Sequence, residues 1–229
     1  MTAITGATKL VGIIGWPVDH SLSPRMHNAA FEAVGLDWVY VALPTPPEHV
    51  EEAIRGLAAL GFVGANVTAP HKHAAAGLCD TDAPSVNTLI VRGDRVEGVS
   101  TDAAILSGLA VEHAVVLGDG GSATAFVHAL PRAQQFARRG SWPPDTTGAG
   151  LVVNATSERA VVLVELEEDQ TLIDLPYPET ATATAARRSG ATVISGLEVL
   201  VAQGAASFEL WTGVAAPIEV MRDAVGLPA

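Results

Sequence analysis

The stretch HAVVLGDGGSATAFVHAL, residues 113–130, decides the fold of this chain. Its first five residues, 113–117, form an apolar, valine-containing run that predicts a buried strand, and residues 122–130 favour a helix. A strand, a glycine turn and a helix in this order present backbone N–H groups and a helix N-terminus to a phosphate. Asp119 lies in this turn, where a phosphate would approach, and its negative charge opposes phosphate binding.

Strands and helices alternate on both sides of this stretch. Before it, β-branched runs predict strands at 9–15, 38–43, 64–68 and 87–92. Two helical patterns lie between these strands, one from Ser23, a candidate N-cap, to Gly35 and one from Pro47 to Gly61. After it, the predicted elements are a short strand near 135–137, strands at 151–156, 171–177 and 191–196, a helix at about 180–189 and two C-terminal amphipathic helices. This alternation predicts an α/β fold.

The regularity of the pattern changes along the chain and predicts two domains. We expect residues 1–102 to form an N-terminal α/β substrate domain and residues 103–205 to form a Rossmann-like dinucleotide-binding domain. The second domain is shortened around 138–150, where a loop rich in proline and glycine replaces regular elements. The C-terminal helix at about 206–229 is expected to return to the first domain.

Charge and composition exclude several classes of function. The chain of 229 residues carries a formal net charge of -12, which opposes binding to nucleic acids. Its apolar N-terminal run, residues 10–18, is too short to span a membrane and lacks the features of a secretory signal. Cys79 is the single cysteine and suits a reducing compartment. We therefore expect a cytoplasmic protein that binds neither nucleic acid nor a membrane. Our further expectations are a small-molecule partner and a monomeric or homodimeric state.

Polar residues follow the predicted strands of the first half, and ligands of open α/β sheets bind at such strand ends. Asn66 and Thr68 end one strand, Lys72 follows them, and Asp102 comes after the last strand of this half. An alternative interpretation needs no ligand: Lys72 is then a solvated surface residue, Asn66 a turn residue and Asp102 a helix cap. The residues alone leave both interpretations open.

A series of short motifs resembles the shikimate dehydrogenase family over about residues 11–213. The motifs are SLSP (21–24), NVTAPHK (66–72), NTL (87–89), STD (100–102), GDGG (118–121) and GLEVLVAQ (196–203). The resemblance implies a cyclic polyhydroxylated carboxylic acid as substrate, with the carboxylate on Ser21 and Ser23. Together, the implied substrate-binding residues are Ser21, Ser23, Asn66, Thr68, Asn87, Tyr177 and Gln203.

The resemblance further implies that Lys72 and Asp102 transfer the proton. Reduction of a ring ketone needs a hydride on carbon and a proton on oxygen, and an ammonium group supplies the proton. A neighbouring carboxylate favours the ammonium form of the lysine and orients it. A metal site formed by His71, His73 and Asp80 is disfavoured, because the sequence offers no third well-spaced ligand beside the histidines. We expect no metal.

The resemblance implies NADP as the cofactor. The implied cofactor-binding residues are Gly118, Gly120, Gly121, Ser122, Arg138, Arg139, Ser141, Asn154 and Thr156. Among these, Arg138 or Arg139 with Ser141 would bind the 2′-phosphate after the second strand, although both arginines could equally be solvated. The cofactor half departs from the family pattern at Asp119 and also at Glu158, which is expected to disturb the nicotinamide pocket.

Two hypotheses follow from this uneven match. The first is an NADP-dependent oxidoreductase that reduces 3-dehydroshikimate, or a related cyclic polyhydroxy acid, to shikimate. The second is a repurposed member of the family that keeps the acid pocket with Lys72 and Asp102 but uses no nicotinamide. Such a protein would catalyse a non-redox acid/base step or only bind a ligand.

Overall fold

The computed structural model describes residues 4–228, and their packing divides the chain into two units. The first unit extends to Thr101 and resumes at Leu200, and the second runs from Asp102 to Val199. Each unit contains a five-stranded sheet covered by helices. The prediction of an α/β fold with two domains is confirmed.

The sheet of the first unit mixes parallel and antiparallel strands. Its strands are β1 (Lys9–Gly15), β2 (Trp38–Pro44), β3 (Phe62–Val67), β4 (Thr88–Arg92) and β5 (Arg95–Val99), in the order β2-β1-β3-β4-β5. β1 pairs in parallel with β2 and β3, whereas β4 runs antiparallel to β3 and β5. As a result, the carboxyl ends of β1 and β3 and the amino end of β4 lie at one edge of the sheet.

Helices from both ends of the chain cover this sheet. They are α1 (Ser23–Ala33), α2 (Val50–Ala59), the short α3 (Lys72–Ala76), the second part of α6 (Gly196–Thr212) and α7 (Ile218–Val225). Phe208 of α6 stacks on Phe31 of α1, with ring centroids 5.3 Å apart. Trp211 donates its indole N–H to the carbonyl of Leu89 in β4, at 2.9 Å. These contacts attach the C-terminal segment to the first unit.

The sheet of the second unit is entirely parallel. Its strands are β6 (Ala114–Leu117), β7 (Gln134–Phe136), β8 (Leu151–Asn154), β9 (Thr171–Asp174) and β10 (Thr192–Ser195), in the order β10-β9-β8-β6-β7. One helix, α4 (Gly121–Ala129), connects β6 to β7, and α5 (Ala181–Ser189) connects β9 to β10. Because parallel strands need crossover connections, the other two links must also cross the sheet.

Those two links contain no helix. Residues 137–150 connect β7 to β8, residues 155–170 connect β8 to β9, and both segments are irregular. The second link nevertheless places Leu163, Val164 and Leu166 against the apolar sheet face formed in part by Val115 and Val152. An irregular segment thus covers this face of the sheet and excludes water from it.

The sequence missed three local features of the first unit. β5 escaped prediction because Arg95 and Glu97 interrupt its apolar pattern, yet the strand pairs with β4 along its whole length. Helix α3 is only five residues long and carries no periodic signal. Ser23 was wrong as an N-cap: Leu22 holds that position, and Ser23 is the first helical residue.

Among residues 4–228, no helix is both long enough and apolar enough to cross a membrane.

Candidate functional site

One edge of the first sheet gathers most of the polar residues singled out in the sequence. Ser21 and Ser23 follow β1, Thr68 and Lys72 follow β3, and Asn87 precedes β4. The antiparallel direction of β4 is essential here, because it brings Asn87 beside the end of β3, where Val67 donates its N–H to the Asn87 carbonyl at 2.8 Å.

Asn66 is the centre of a buried hydrogen-bond network at this edge. Its Oδ1 accepts from the Tyr40 hydroxyl at 2.7 Å, and its Nδ2 lies 3.0 Å from the Asn87 carbonyl and 3.0 Å from Ser207 Oγ. The residue is only 4% exposed. A side-chain amide has two donor hydrogens and one acceptor oxygen, so protein groups already engage both ends of Asn66. This geometry favours a positioning role over direct contact with a ligand.

Asn87 is held in a similar way and is joined to Gln203. Its Oδ1 accepts from the backbone N–H of Thr101 at 2.7 Å, and its Nδ2 lies 2.9 Å from Thr101 Oγ1 and 3.2 Å from Gln203 Oε1. Gln203 in turn donates to the carbonyl of Leu200 at 2.8 Å. The structure therefore brings together two residues that are 116 positions apart and that the motifs indicated independently.

The loop that carries Lys72 is tied to the ends of β1 and β2. Thr68 donates its N–H to the carbonyl of Ile14 at 2.9 Å, and Trp16 donates to Ala69 at 3.2 Å. The buried His71 places Nε2 2.7 Å from the carbonyl of Thr45, which requires the proton on that nitrogen. Lys72 follows as the first residue of α3 and is half-buried.

The remaining substrate-side residues occupy separate places. Ser21 Oγ accepts from the N–H of Ser23 at 3.3 Å, and Ser23 itself is buried. Asp102 and Tyr177 belong to the second unit, whereas Lys72 belongs to the first. Asp102 is buried at the start of a short 3₁₀ turn, and Tyr177 is half-buried in the loop after β9. Within residues 4–228, no group of three or more histidine, cysteine or acidic side chains is placed to hold a metal ion.

The second unit contains a cavity of about 480 Å³ at the carboxyl ends of β6, β7 and β8. The residues that line it are Gly118, Asp119, Gly120, Arg138, Arg139, Trp142, Ala155, Thr156, Ser157 and Glu158. Parallel α/β sheets bind ligands outside the carboxyl ends of their strands. The cavity thus lies where such a sheet accommodates a nucleotide.

The glycine turn forms one wall of this cavity. Gly118 has a φ of +118°, and a Cβ at this position would lie 2.9 Å from the carbonyl oxygen of Ala155. The turn is fixed to β7, because Gly118 donates its N–H to the carbonyl of Phe136 at 2.8 Å. Helix α4 begins just after the turn, and its N-cap residue, Gly120, has no side chain that could cap the first backbone N–H groups. Backbone donors at this end of the helix suit an anion.

The lining of the cavity also contains an ion pair. Arg138 Nη2 lies 3.2 Å from Glu158 Oε2, and the two side chains are 61% and 25% exposed. The Arg138 guanidinium also lies 5.9 Å from the centre of the Trp142 ring. The N–H of Ala160 and the guanidinium of Arg138 lower the pKa of Glu158, so its carboxyl group is ionised at neutral pH. With Asp119, the cavity therefore contains two carboxylates beside its two arginines.

The cavity collects some of the cofactor residues indicated by the motifs and omits others. Gly118, Gly120, Arg138, Arg139 and Thr156 line it, whereas Gly121, Ser122, Ser141 and Asn154 do not. Asn154 is 0% exposed: its Nδ2 donates to Asp174 Oδ1 at 2.7 Å, and its Oδ1 accepts from Thr156 Oγ1 at 2.8 Å. It builds the loop rather than the cavity wall.

Two residues of this cavity differ from what the sequence indicated. Trp142 was missed, since it lies in an irregular loop; its only signal is an aromatic residue four positions after Arg138. Glu158, which the sequence predicts to disturb a nicotinamide pocket, lies against Arg138, beyond the end of β7, a contact that the sequence did not indicate. The reason is that the loop after β8 turns toward β7, which sequence spacing does not reveal.

Comparisons with known proteins agree with the motifs. The family model of the shikimate dehydrogenase substrate binding domain matches residues 13–89, and that of the shikimate 5'-dehydrogenase C-terminal domain matches residues 196–225. A shikimate dehydrogenase (NADP(+)) from Methanopyrus kandleri is 38% identical, covering 97% of both chains. That alignment spans 280 positions, 51 more than the 229 residues of this chain, so the relative contains residues that are missing here.

Solved structures of shikimate dehydrogenases superpose on this chain. A shikimate dehydrogenase crystallised in complex with NADP+ superposes with a TM-score of 0.86 at 32% identity, covering 97% of this chain and 96% of its own. The enzyme from Thermus thermophilus, in complex with NADP(H) and shikimate, gives a TM-score of 0.82 at 31% identity, covering 94% of this chain and 98% of its own. The likeness therefore extends over both units.

Proposed function

Because this chain belongs to the shikimate dehydrogenase family, we propose that it catalyses the NADP-dependent interconversion of 3-dehydroshikimate, or a related cyclic polyhydroxy acid, and shikimate. The observation that carries this proposal is the polar edge of the first sheet. Separate segments of the chain contribute Asn87, Gln203 and Lys72 to the first unit, and Asn87 lies 3.2 Å from Gln203. The first unit then binds the substrate and the second binds the nucleotide.

Neutral hydrogen-bonding groups suit a polyhydroxylated acid. Its hydroxyls donate and accept hydrogen bonds without charge, and the Ser, Thr, Asn and Gln side chains of this edge supply matching partners. We assign the carboxylate to Ser21 and Ser23 and the ring hydroxyls to Thr68 and Gln203, and we propose that Asn87 positions Gln203 through its Nδ2. The buried Asn66 positions Asn87, because its Nδ2 donates a hydrogen bond to the Asn87 carbonyl.

The cavity of the second unit offers donors that suit a dinucleotide. The backbone N–H groups at the start of α4 would hold the pyrophosphate, and the close approach of Gly118 to Ala155 leaves no room for a side chain there. Arg138 and Arg139 would hold the 2′-phosphate that distinguishes NADP from NAD. When bound, the cofactor supplies the hydride for the carbonyl carbon.

Lys72 supplies the proton in this proposal. An ammonium group near the reacting oxygen neutralises the negative charge that develops there and then protonates the oxygen. Asp102 is proposed as the partner that keeps the lysine charged and oriented. Lys72 is the first residue of α3. The hydrogen bonds of Thr68, Ala69 and His71 in the preceding loop fix the position at which α3 begins.

Replacement of Lys72 by alanine tests this assignment. We expect Lys72→Ala to lower kcat for shikimate oxidation by about a hundredfold or more, with a much smaller change in KM, because the proton is needed mainly in the transition state. The assay follows formation of reduced nicotinamide by absorbance. Lys9→Ala is the control, since Lys9 lies at the start of β1, over the Trp38 ring at 5.3 Å. Equal kcat losses in the two variants would contradict the role of Lys72.

Calorimetric titration with NADPH and with shikimate separates this function from its alternative. Binding of both ligands, followed by turnover, supports the dehydrogenase. Binding of shikimate without binding of NADPH or NADH would refute the redox function and favour a non-redox acid/base step or ligand binding alone. The two carboxylates in the cavity of the second unit make that comparison necessary.

A further inference from the structure

We propose that Glu158 occupies the phosphate-binding side of the nucleotide cavity as an internal anion, and that it thereby sets the preference between NADP and NAD. This inference rests on the proposed function, because it assumes that the cavity of the second unit binds the cofactor. It concerns one side chain, Glu158, whose carboxylate lies 3.2 Å from Arg138 Nη2.

The carboxylate of Glu158 is held in place from both sides. One oxygen, Oε1, accepts from the backbone N–H groups of Arg159 at 3.0 Å and Ala160 at 2.9 Å. The other oxygen, Oε2, is thereby directed at Arg138. These two bonds hold the carboxylate in one orientation and reduce the entropy that ion-pair formation costs.

The loop that presents Glu158 is anchored in the core of the second unit. Asn154, at the end of β8, bonds to Asp174 of β9 and accepts from the hydroxyl of Thr156 at 2.8 Å. Thr156 Oγ1 in turn accepts from the N–H of Glu158 at 3.2 Å. A chain of hydrogen bonds therefore runs from the buried strand end to the ion pair and fixes the position of the glutamate.

A carboxylate and a phosphate compete for the same guanidinium. Glu158 takes one N–H of Arg138, at Nη2, and offsets the charge of the guanidinium, so a 2′-phosphate at Arg138 meets an occupied donor and a neighbouring negative charge. NADP+ must displace Glu158 or bind close to its charge, whereas NAD+ has a neutral 2′-hydroxyl and leaves the ion pair intact. Glu158 therefore penalises NADP+ selectively, and Arg139 is the second arginine left to favour it.

The variant Glu158→Gln tests this inference without removing the loop. The glutamine carbonyl can still accept from the N–H groups of Arg159 and Ala160, so the backbone keeps its bonds while the charge is lost. We expect Kd for NADP+ to fall by roughly three- to tenfold, and Kd for NAD+ to change by less than about twofold. The selective effect should shrink at high ionic strength.

Two further variants control the experiment. Glu165→Gln removes an exposed acid from the same unit, outside the cavity lining, and should leave the ratio of the two dissociation constants unchanged. In an Arg138→Gln background the Glu158→Gln change should lose its selectivity, because the arginine for which the anions compete is gone. All constants are measured by calorimetry on the full chain.

The outcomes separate this inference from the proposed function. The inference is supported if Glu158→Gln lowers the Kd for NADP+ but not for NAD+. It is also supported if the wild-type protein binds no NADP+ while the variant does. Equal changes for NADP+ and NAD+, or none, would overturn the role of Glu158 even in an active dehydrogenase. Absence of nucleotide binding in every variant would overturn both this inference and the cofactor assignment.

Discussion

The buried His27 makes acid stability a sharp test of the first unit. Its ring is 0% exposed and stacks on Tyr40, with centroids 4.5 Å apart and planes at 3°. Neither ring nitrogen has a hydrogen-bond partner within the described part of the chain. Burial therefore lowers the pKa of His27 from 6.5 to about 3.

This lowered pKa links the folding free energy to pH. Below pH 6.5 the unfolded chain takes up a proton at His27 that the folded unit does not bind until about pH 3. The unfolding free energy therefore has its full value above pH 6.5. Between the two pKa values it falls by about 1.4 kcal/mol for each unit by which the pH decreases. At about pH 5 the loss due to this residue is about 2 kcal/mol.

The variant His27→Phe removes the titrating group and keeps an aromatic ring against Tyr40. The larger ring costs about 1 to 3 kcal/mol from overpacking at every pH, so the informative quantity is the change in stability with pH. We expect the variant to lose about 2 kcal/mol less than the wild type between about pH 7.5 and about pH 5.

Urea unfolding followed by tryptophan fluorescence measures this difference, because Trp211 lies with its ring centroid 5.5 Å from that of His27. His113→Gln serves as the control, since it replaces an exposed histidine of the second unit and leaves the packing around His27 intact. Identical losses of unfolding free energy in the wild type and in His27→Phe would refute the reasoning. They would mean that His27 binds its proton in the folded state as readily as in the unfolded state.

Two further substitutions test the second unit. Gly118→Ala should lower the unfolding free energy of this unit by about 1 to 3 kcal/mol, because the residue has a φ of +118° and its new Cβ would meet the Ala155 carbonyl. Gly120 has open space around it and a φ of -78°, so Gly120→Ala should be tolerated. A thermal melt measures both variants. Thr180→Ala should cost about 1 to 2 kcal/mol, since the buried hydroxyl accepts from Ala183 N at 3.1 Å as the N-cap of α5. Thr180→Ser retains that hydroxyl and should restore most of the loss, and equal destabilisation by both substitutions would argue against the cap.

Local patterns in the sequence were sufficient for the family and for most elements. The motifs at 21–24, 66–72 and 118–121 indicated the shikimate dehydrogenase family, and the comparisons confirm it. Strands β1 and β6 lie close to their predicted bounds because their runs are apolar and bounded by glycine or polar residues. β5 was missed because its stability comes from pairing with β4 rather than from its own composition.

The roles of individual polar residues could not be read from the motifs alone. The family resemblance implies ligand contact for both Asn66 and Asn154, yet both are buried and engaged by protein groups. The sequence specifies an amide at these positions, but it does not specify which atoms occupy its donors and acceptors. That depends on neighbours such as Ser207, which is 141 positions from Asn66.

The sequence by itself determined the alternation of strands and helices, the glycine turn and the residue types of a polar acid pocket. These depend on interactions within a few residues, such as side-chain periodicity, helix ends and the freedom of glycine. Only the tertiary structure decided that Glu158 meets Arg138, that the buried His27 stacks on Tyr40, and that an irregular segment packs against one face of the second sheet. Packing and desolvation act between residues that are distant in the chain, so their outcome appears only when the chain is folded.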